Sequence, residues 1–152
     1  MLLDVWNIKT GEGKNIKLHS DKGDVKTYPT PLYIEGDYYY GDDVSTGRLV
    51  RVNIVTGEVV YLTKELYSDS SDINNSKSGF YTHASYYSNG YIYTFYEDLI
   101  DKKYRIIVND VKTGKEKERI ELKDFYEKAM GGGKLESGFI AVNPAYIPNK
   151  SS

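Results

Sequence analysis

A short segment that ends in Thr-Gly and one further residue occurs three times in the chain, and it constrains the fold more than any other feature. It reads NIKTGE at 7–12, NIVTGE at 53–58 and DVKTGK at 110–115, so its threonines are spaced by 46 and 57 residues. Glycine suits a tight hairpin at this point because it accepts the positive φ that such turns require. A segment that recurs in a fixed order is typical of a repeat architecture.

A second element alternates with these segments. An extended run, a two-residue turn and an aromatic-rich run recur around Asp37, Gly90 and Gly138, which are spaced by 53 and 48 residues. Within the first complete unit, turn residues separate four extended runs, which predicts four antiparallel strands. The predicted strands are 31–35, 38–41, 48–54 and 58–62.

The polar stretch 42–47 lies between the second and third predicted strands of this unit, and we expect it to form a turn. Asp42 and Asp43 would then lie in that turn, where acidic side chains usually cap backbone N–H groups.

Four short antiparallel strands per unit are typical of a β-propeller blade. Applied to the whole chain, the pattern predicts an all-β, partial β-propeller domain at 1–148 and a tail at 149–152. The domain would consist of a half-blade at 2–18, a blade at 31–62, a blade at 84–122 and a half-blade at 134–148. Closed propellers use about four to eight blades, so we expect an incomplete ring, or one completed by self-association or by further blades. A generic antiparallel sandwich is the alternative fold.

One short helix is expected near 122–130. Apolar residues there follow the i, i+3, i+4, i+7, i+8 spacing of one helix face, and three glycines follow them. These apolar residues are Leu122, Phe125, Tyr126, Ala129 and Met130. The polar, serine-rich stretch 66–82 is expected to be a surface loop.

The stretch 31–62 resembles a blade of the pyrroloquinoline-quinone-type and YVTN-type β-propellers. In the quinone-type blade an acidic residue precedes the Thr-Gly turn, and an aromatic docking residue follows the threonine by five positions. Asp110 matches the acid and Tyr61 matches the aromatic residue, whereas Asn7 and Asn53 replace the acid. The resemblance implies a propeller fold and favours an extracellular or cell-surface location.

The composition excludes several classes of function. The chain has 22 acidic and 20 basic residues, so no basic excess indicates a nucleic-acid partner. No apolar run is long enough for a transmembrane helix, and the first residues lack the apolar core of a signal peptide. The chain has no cysteine, which excludes disulfides, thiolate metal sites and cysteine nucleophiles.

No cofactor, metal ion or catalytic residue is predicted. A quinone cofactor would need a stacking tryptophan and a calcium site, but the lone Trp6 lies in a predicted strand, where core or blade-edge packing is expected. The stretch from Asp72 begins like an EF-hand loop, but Lys77 and His83 stand where glycine and glutamate are required. His19 and His83 fall in different units with no visible triad partner.

The predicted function is a non-catalytic binding or scaffolding module. In a propeller, the loops that enter the first strand and join the second to the third lie on one face, around the channel. Tyrosines there supply rigid contact area for a protein, peptide or carbohydrate ligand. The predicted rim residues are Tyr28, Thr30, Tyr81, Thr82 and His83. Two alternatives stay open: a fragment of a longer surface or secreted propeller protein, or part of an enzyme whose active site needs blades absent from this chain.

Overall fold

The chain is all-β and antiparallel in the computed structural model, as the turn pattern predicts. The structure describes residues 1–21, 23–25, 29–43, 46–64, 80–98, 102–125 and 141–148, with the backbone alone for Asp24, Phe80, Tyr81 and His83. No helix among the described residues is long and apolar enough to span a membrane.

Within the described parts of the chain, twelve strands form four sheets. The N-terminal pair contains β1 and β2, a short hairpin contains β3 and β4, the central sheet has the order β5-β6-β7-β8, and the C-terminal sheet has the order β9-β10-β11-β12. The strands are β1 Leu2–Trp6, β2 Gly13–Lys17, β3 His19–Ser20, β4 Gly23–Asp24, β5 Thr30–Glu35, β6 Tyr38–Asp43, β7 Arg48–Asn53, β8 Val59–Tyr61, β9 Phe80–Ser88, β10 Tyr91–Asp98, β11 Lys103–Asp110 and β12 Glu116–Glu121.

The hairpin turns predicted at Asp37 and Gly90 are confirmed, and the one predicted at Gly138 lies outside the described residues. Gly36 and Asp37 connect β5 to β6, and Gly36 has a φ of 57°. Asn89 and Gly90 connect β9 to β10 with φ values of 49° and 85°, as expected of a two-residue hairpin loop.

The prediction that Asp42 and Asp43 lie in a turn is wrong. Both belong to β6, because the ladder between β6 and β7 continues up to the pair of Asp43 with Arg48. Polar residues extend a strand when the neighbouring strand supplies hydrogen-bond partners for their backbone, whatever their intrinsic preference.

The three Thr-Gly turns have the same hydrogen bonds. In each turn the side chain of the first residue accepts hydrogen bonds from the backbone N–H groups two and three positions later; for Asn53 these are Val55 at 2.8 Å and Thr56 at 2.9 Å. Asn7 and Asp110 accept the equivalent bonds in the other two turns. The glycines have φ values of 74° at Gly11, 83° at Gly57 and 69° at Gly114, which confirms the predicted positive φ.

The sheets stack face to face in chain order. One buried apolar cluster joins Leu18, which follows β2, to Val50 and Val52 of the central sheet. A second cluster joins Tyr40 and Leu49 on the opposite face of the central sheet to Ile92 in β10 of the C-terminal sheet. The central sheet is therefore buried on both faces.

Two glycine turns lie directly against the backbone of the preceding sheet. A Cβ atom built on Gly57 would lie 2.1 Å from the carbonyl oxygen of Lys17, at the end of β2. A Cβ atom on Gly114 would lie 2.6 Å from the carbonyl oxygen of Leu62, just after β8. Each turn thus rests on the end of the last strand of the preceding sheet, at a distance that only glycine permits.

Several sequence predictions fall partly or wholly outside the described residues. Of the predicted helix 122–130, only 122–125 is described: Lys123 and Asp124 form a turn, Phe125 is helical, and 126–130 lie outside the described residues. Of the predicted half-blade 134–148, only 141–148 is described, and this part contains no strand. Most of the predicted loop 66–82 also lies outside, and β9 includes its last three residues.

Trp6 is 66% exposed, so of the two expected kinds of packing, core and blade-edge, core packing is wrong and blade-edge packing stays a prediction. Its ring lies over Gly13, the residue opposite it in β2, where a Cβ atom would be 2.7 Å from the indole. The equivalent residue of the central sheet, Val52, is fully buried because the N-terminal pair covers it.

The contact at Gly57 can be measured with a matched pair of substitutions. Gly36→Ala meets nothing within 4 Å, so it should cost only the strain of a positive φ, about 1–2 kcal/mol. Gly57→Ala adds a collision with the Lys17 carbonyl and should cost about 1–3 kcal/mol more. Urea unfolding of both variants tests this. Equal losses in the free energy of unfolding would show that the Gly57 turn does not hold the sheets together.

Candidate functional site

Polar side chains gather at one end of the central sheet, where β5 begins, β6 ends, β7 begins and β8 ends. Thr30 of β5 lies opposite Asp42 of β6, and Asp43 lies opposite Arg48 of β7. Tyr61 ends β8 next to Arg48. We call these five residues the sheet end. Three of them, Asp42, Asp43 and Arg48, are buried although they are ionisable.

Asp42 connects the sheet end to the C-terminal sheet. The Ser85 hydroxyl of β9 donates to Asp42 Oδ2 at 2.8 Å, and its oxygen lies 3.3 Å from the Thr94 hydroxyl of β10. Burial raises the pKa of Asp42, and Asp43 acts in the same direction, while the bond from Ser85 acts against it. A carboxyl group in such surroundings holds its proton to higher pH than an exposed one.

Arg48 provides positive charge at the other side of the sheet end. Its Cζ atom lies 4.1 Å from the centroid of the Tyr61 ring, within the range of a cation–π interaction. Burial raises the pKa of Tyr61, Asp43 and Asp21 raise it further, and Arg48 opposes them. The phenol, whose ordinary pKa is 10.0, is protonated at physiological pH, so Tyr61 can donate a hydrogen bond, and its raised pKa extends this to more alkaline pH.

A cavity of about 670 Å³ opens beside Arg48 and Tyr61. Its polar lining carries both signs of charge and includes Asp21, Arg48, Glu58, Tyr61, Thr63 and Lys64. A second cavity of about 340 Å³ shares Thr63 and Lys64 with it and reaches Thr94 of the C-terminal sheet. We call the larger cavity the cleft.

The structure describes only part of the predicted rim. Thr30 begins β5, and Thr82 lies in β9 opposite Tyr96, so each is near the start of the first strand of its sheet. Tyr28 lies outside the described residues, as do the side chains of Tyr81 and His83. The rim therefore stays a prediction, and Thr30 is the one predicted rim residue that belongs to the sheet end.

Sequence reasoning missed Asp42, Asp43, Arg48 and Ser85 as members of one site. Asp42 and Asp43 fall within the stretch assigned to a turn and Arg48 directly follows it, whereas Ser85 comes from the next sheet, 43 positions after Asp42. The sequence does contain one signal for this site. Asp42 and Asp43 directly follow the predicted aromatic strand 38–41, and Arg48 lies five positions after Asp43. This spacing allows the two strands of a hairpin to keep pairing up to Asp43 and Arg48.

The site supplies hydrogen-bond donors, acceptors and charges of both signs, which suits recognition of a polar ligand. Among the described residues, no three His, Asp or Glu side chains are grouped closely enough to hold a metal ion. Comparison of the chain with protein-family models, curated proteins and solved structures finds no match.

The raised pKa of Asp42 predicts a pH dependence. The folded state favours the protonated form of Asp42 more than the unfolded state does. The protonated carboxyl therefore adds its full contribution to stability below the ordinary pKa of 3.8, and this contribution is lost as the pH rises through the higher pKa of the folded protein. Asp42→Asn should therefore gain stability over the parent protein at neutral pH, and this gain should shrink as the pH falls toward 3.8. Urea unfolding across this pH range measures the difference.

Two further variants control that experiment. Asp37→Asn makes the same chemical change at an exposed position in the β5–β6 turn. Ser85→Ala removes the hydroxyl that donates to Asp42 and should cost about 1.5–3 kcal/mol at neutral pH, as for other hydrogen bonds to charged groups. A gain for Asp42→Asn that is the same at every pH would contradict the assignment.

Proposed function

We propose that this chain is a non-catalytic binding module built from β-propeller blades of the pyrroloquinoline-quinone-like and YVTN-like type. Two four-stranded antiparallel sheets and a two-stranded pair stack in chain order, which supports this fold. The shared hydrogen bonds of the three Thr-Gly turns support the same assignment, because blades are versions of one structural unit.

The cleft beside Arg48 and Tyr61 is the observation that carries the binding function. Its volume, about 670 Å³, is within the range of small-molecule and peptide sites. Basic and acidic side chains line it together, among them Lys64 and Asp21, so it complements a ligand that carries both charges.

A peptide segment fits the cleft better than a sugar does. Carbohydrate sites usually offer an open aromatic face, but Arg48 covers one face of Tyr61 and the ring also packs against the first apolar cluster. Mixed charge and hydroxyl groups, such as that of Thr63, suit the backbone and ionised side chains of a peptide.

Binding to a peptide array and to a glycan array tests the proposal. We expect retention of peptides that contain both acidic and basic residues, with weaker retention at high salt. Lys64→Glu should weaken that binding by about tenfold, since it places a repelling charge in the cleft. Lys103→Glu, at an exposed position of β11, is the matched control and should bind like the parent protein.

Other outcomes would overturn the proposal. Retention of glycans alone would reject the peptide assignment, and equal binding by both charge-reversal variants would reject the cleft. Turnover of a bound compound would favour the alternative that the chain belongs to an enzyme.

A further inference from the structure

The second cavity lies between the central and the C-terminal sheets and adjoins the cleft. Its lining combines Thr63 and Lys64, which come shortly after β8, with Thr94, Asn109 and Arg119 of the C-terminal sheet. Its volume of about 340 Å³ is at the lower end of the range of ligand sites. Because Thr63 and Lys64 also line the cleft, a ligand in the cleft can extend into the second cavity.

Strand pairing explains why polar residues of the C-terminal sheet reach this cavity. Thr94 of β10 pairs with Ile107 of β11, which pairs with Arg119 of β12. Residues paired in this way lie on one face of a sheet, and alternation places Thr94 on the same face as Ile92, which packs against the central sheet. Thr94 and Asn109 are only 5% and 7% exposed, so their polar groups are built into the interface between the two sheets.

Two threonine hydroxyls of the second cavity offer complementary hydrogen bonds. Thr63 Oγ1 accepts the backbone N–H of Leu49 at 2.9 Å, so its own proton can be donated to a ligand. The Ser85 hydroxyl gives its proton to Asp42, so the proton between the Ser85 and Thr94 oxygens comes from Thr94. Thr94 therefore keeps lone pairs for a ligand donor. A donor and an acceptor in one cavity match the C=O and N–H groups of a peptide.

The charges of the second cavity favour a negative group. Arg119 donates to both carboxylate oxygens of Glu116, from Nε at 3.0 Å and from Nη2 at 2.8 Å, so these two charges compensate each other. Lys64 is exposed and forms no ion pair with any residue that the structure describes. The second cavity therefore has one positive charge in excess.

The cleft has acidic groups that can hold the other end of such a ligand. Asp21 and Glu58 line the cleft and are both exposed. Arg48 lies opposite the buried Asp43 in the ladder between β6 and β7, so the charges of these two residues compensate each other. A basic group of a ligand is therefore attracted to the cleft, and an acidic group is attracted to the second cavity.

We infer that the second cavity binds a carboxylate of the peptide whose basic residue occupies the cleft, and that Lys64 and Arg119 select this carboxylate. The inference rests on the proposed peptide-binding function and gives the bound peptide a direction. The basic side chain approaches Asp21 and Glu58, the peptide backbone passes Thr63, and the carboxylate meets Lys64 and Arg119.

Short alanine-based peptides that contain one lysine and one glutamate, in both orders and at several spacings, test the inference. Each has a partner peptide with glutamine in place of glutamate, and both peptides are acetylated and amidated. A further set carries a free C-terminal carboxylate in place of the glutamate side chain. Fluorescence anisotropy should show about tenfold tighter binding of the best carboxylate peptide than of its uncharged partner. A preference for either kind of carboxylate supports the inference and identifies its source.

Two neighbouring substitutions should act in opposite directions. Arg119→Gln removes a cation and should reduce the preference for the carboxylate peptide to about twofold. Glu116→Gln removes the competing carboxylate and should raise the preference by about threefold. Lys103→Gln is the matched control, because Lys103 is also an exposed cation in an ion pair on the C-terminal sheet, and it should leave the preference unchanged.

The outcomes separate this inference from the proposed function. Peptide binding that is weakened by Lys64→Glu but is equal for glutamate and glutamine peptides would overturn the inference and leave the function standing. Equal losses of both peptides in Arg119→Gln would also overturn it, because a general change in structure has that effect. Absence of peptide binding, or retention of glycans alone, would overturn both.

Discussion

The approach of a glycine turn to the backbone of the preceding sheet sets the arrangement of the whole chain. At Gly57 the space for a Cβ atom is taken by the Lys17 carbonyl at 2.1 Å, so the two backbones touch where side chains would normally separate them. Because backbone atoms are rigid, this contact fixes both the spacing and the rotation of neighbouring sheets. The apolar cluster that includes Leu18 and Val52 then fills the remaining space.

Each of the three Thr-Gly turns keeps its shape through hydrogen bonds to the side chain of its first residue, and these bonds do not need a charged acceptor. Burial opposes ionisation of Asp110, but bonds from Thr113 and from the Lys112 N–H outweigh this and lower its pKa. Asn7 and Asn53 accept the corresponding bonds with a neutral oxygen. This explains why asparagine replaces the acid in two of three turns: the geometry requires an acceptor, and either side chain provides one.

Local chemistry made the strands and turns predictable, whereas the site depended on contacts between distant parts of the chain. The positive φ of Gly57 follows from its turn sequence, and the hairpin at Gly36 follows from alternation around it. The burial of Asp42 does not, because it depends on Ser85 of another sheet. The exposure of Trp6 could not be predicted from its local sequence either, because it depends on what packs against that face of the N-terminal pair.

The stacking also explains why tyrosine is so frequent, with 16 residues in the chain. A sheet buried on both faces needs large apolar groups at consecutive positions, and tyrosine can bury its ring while its hydroxyl reaches a polar partner. Tyr39 does this: burial raises its pKa to about 12, and its hydroxyl donates to the Pro29 carbonyl at 3.4 Å. Tyr33 and Tyr87 stack across the two larger sheets with centroids 4.1 Å apart. An aliphatic side chain at position 39 would fill the same place but leave the Pro29 carbonyl without this donor, so burial on both faces favours tyrosine there over a purely apolar residue.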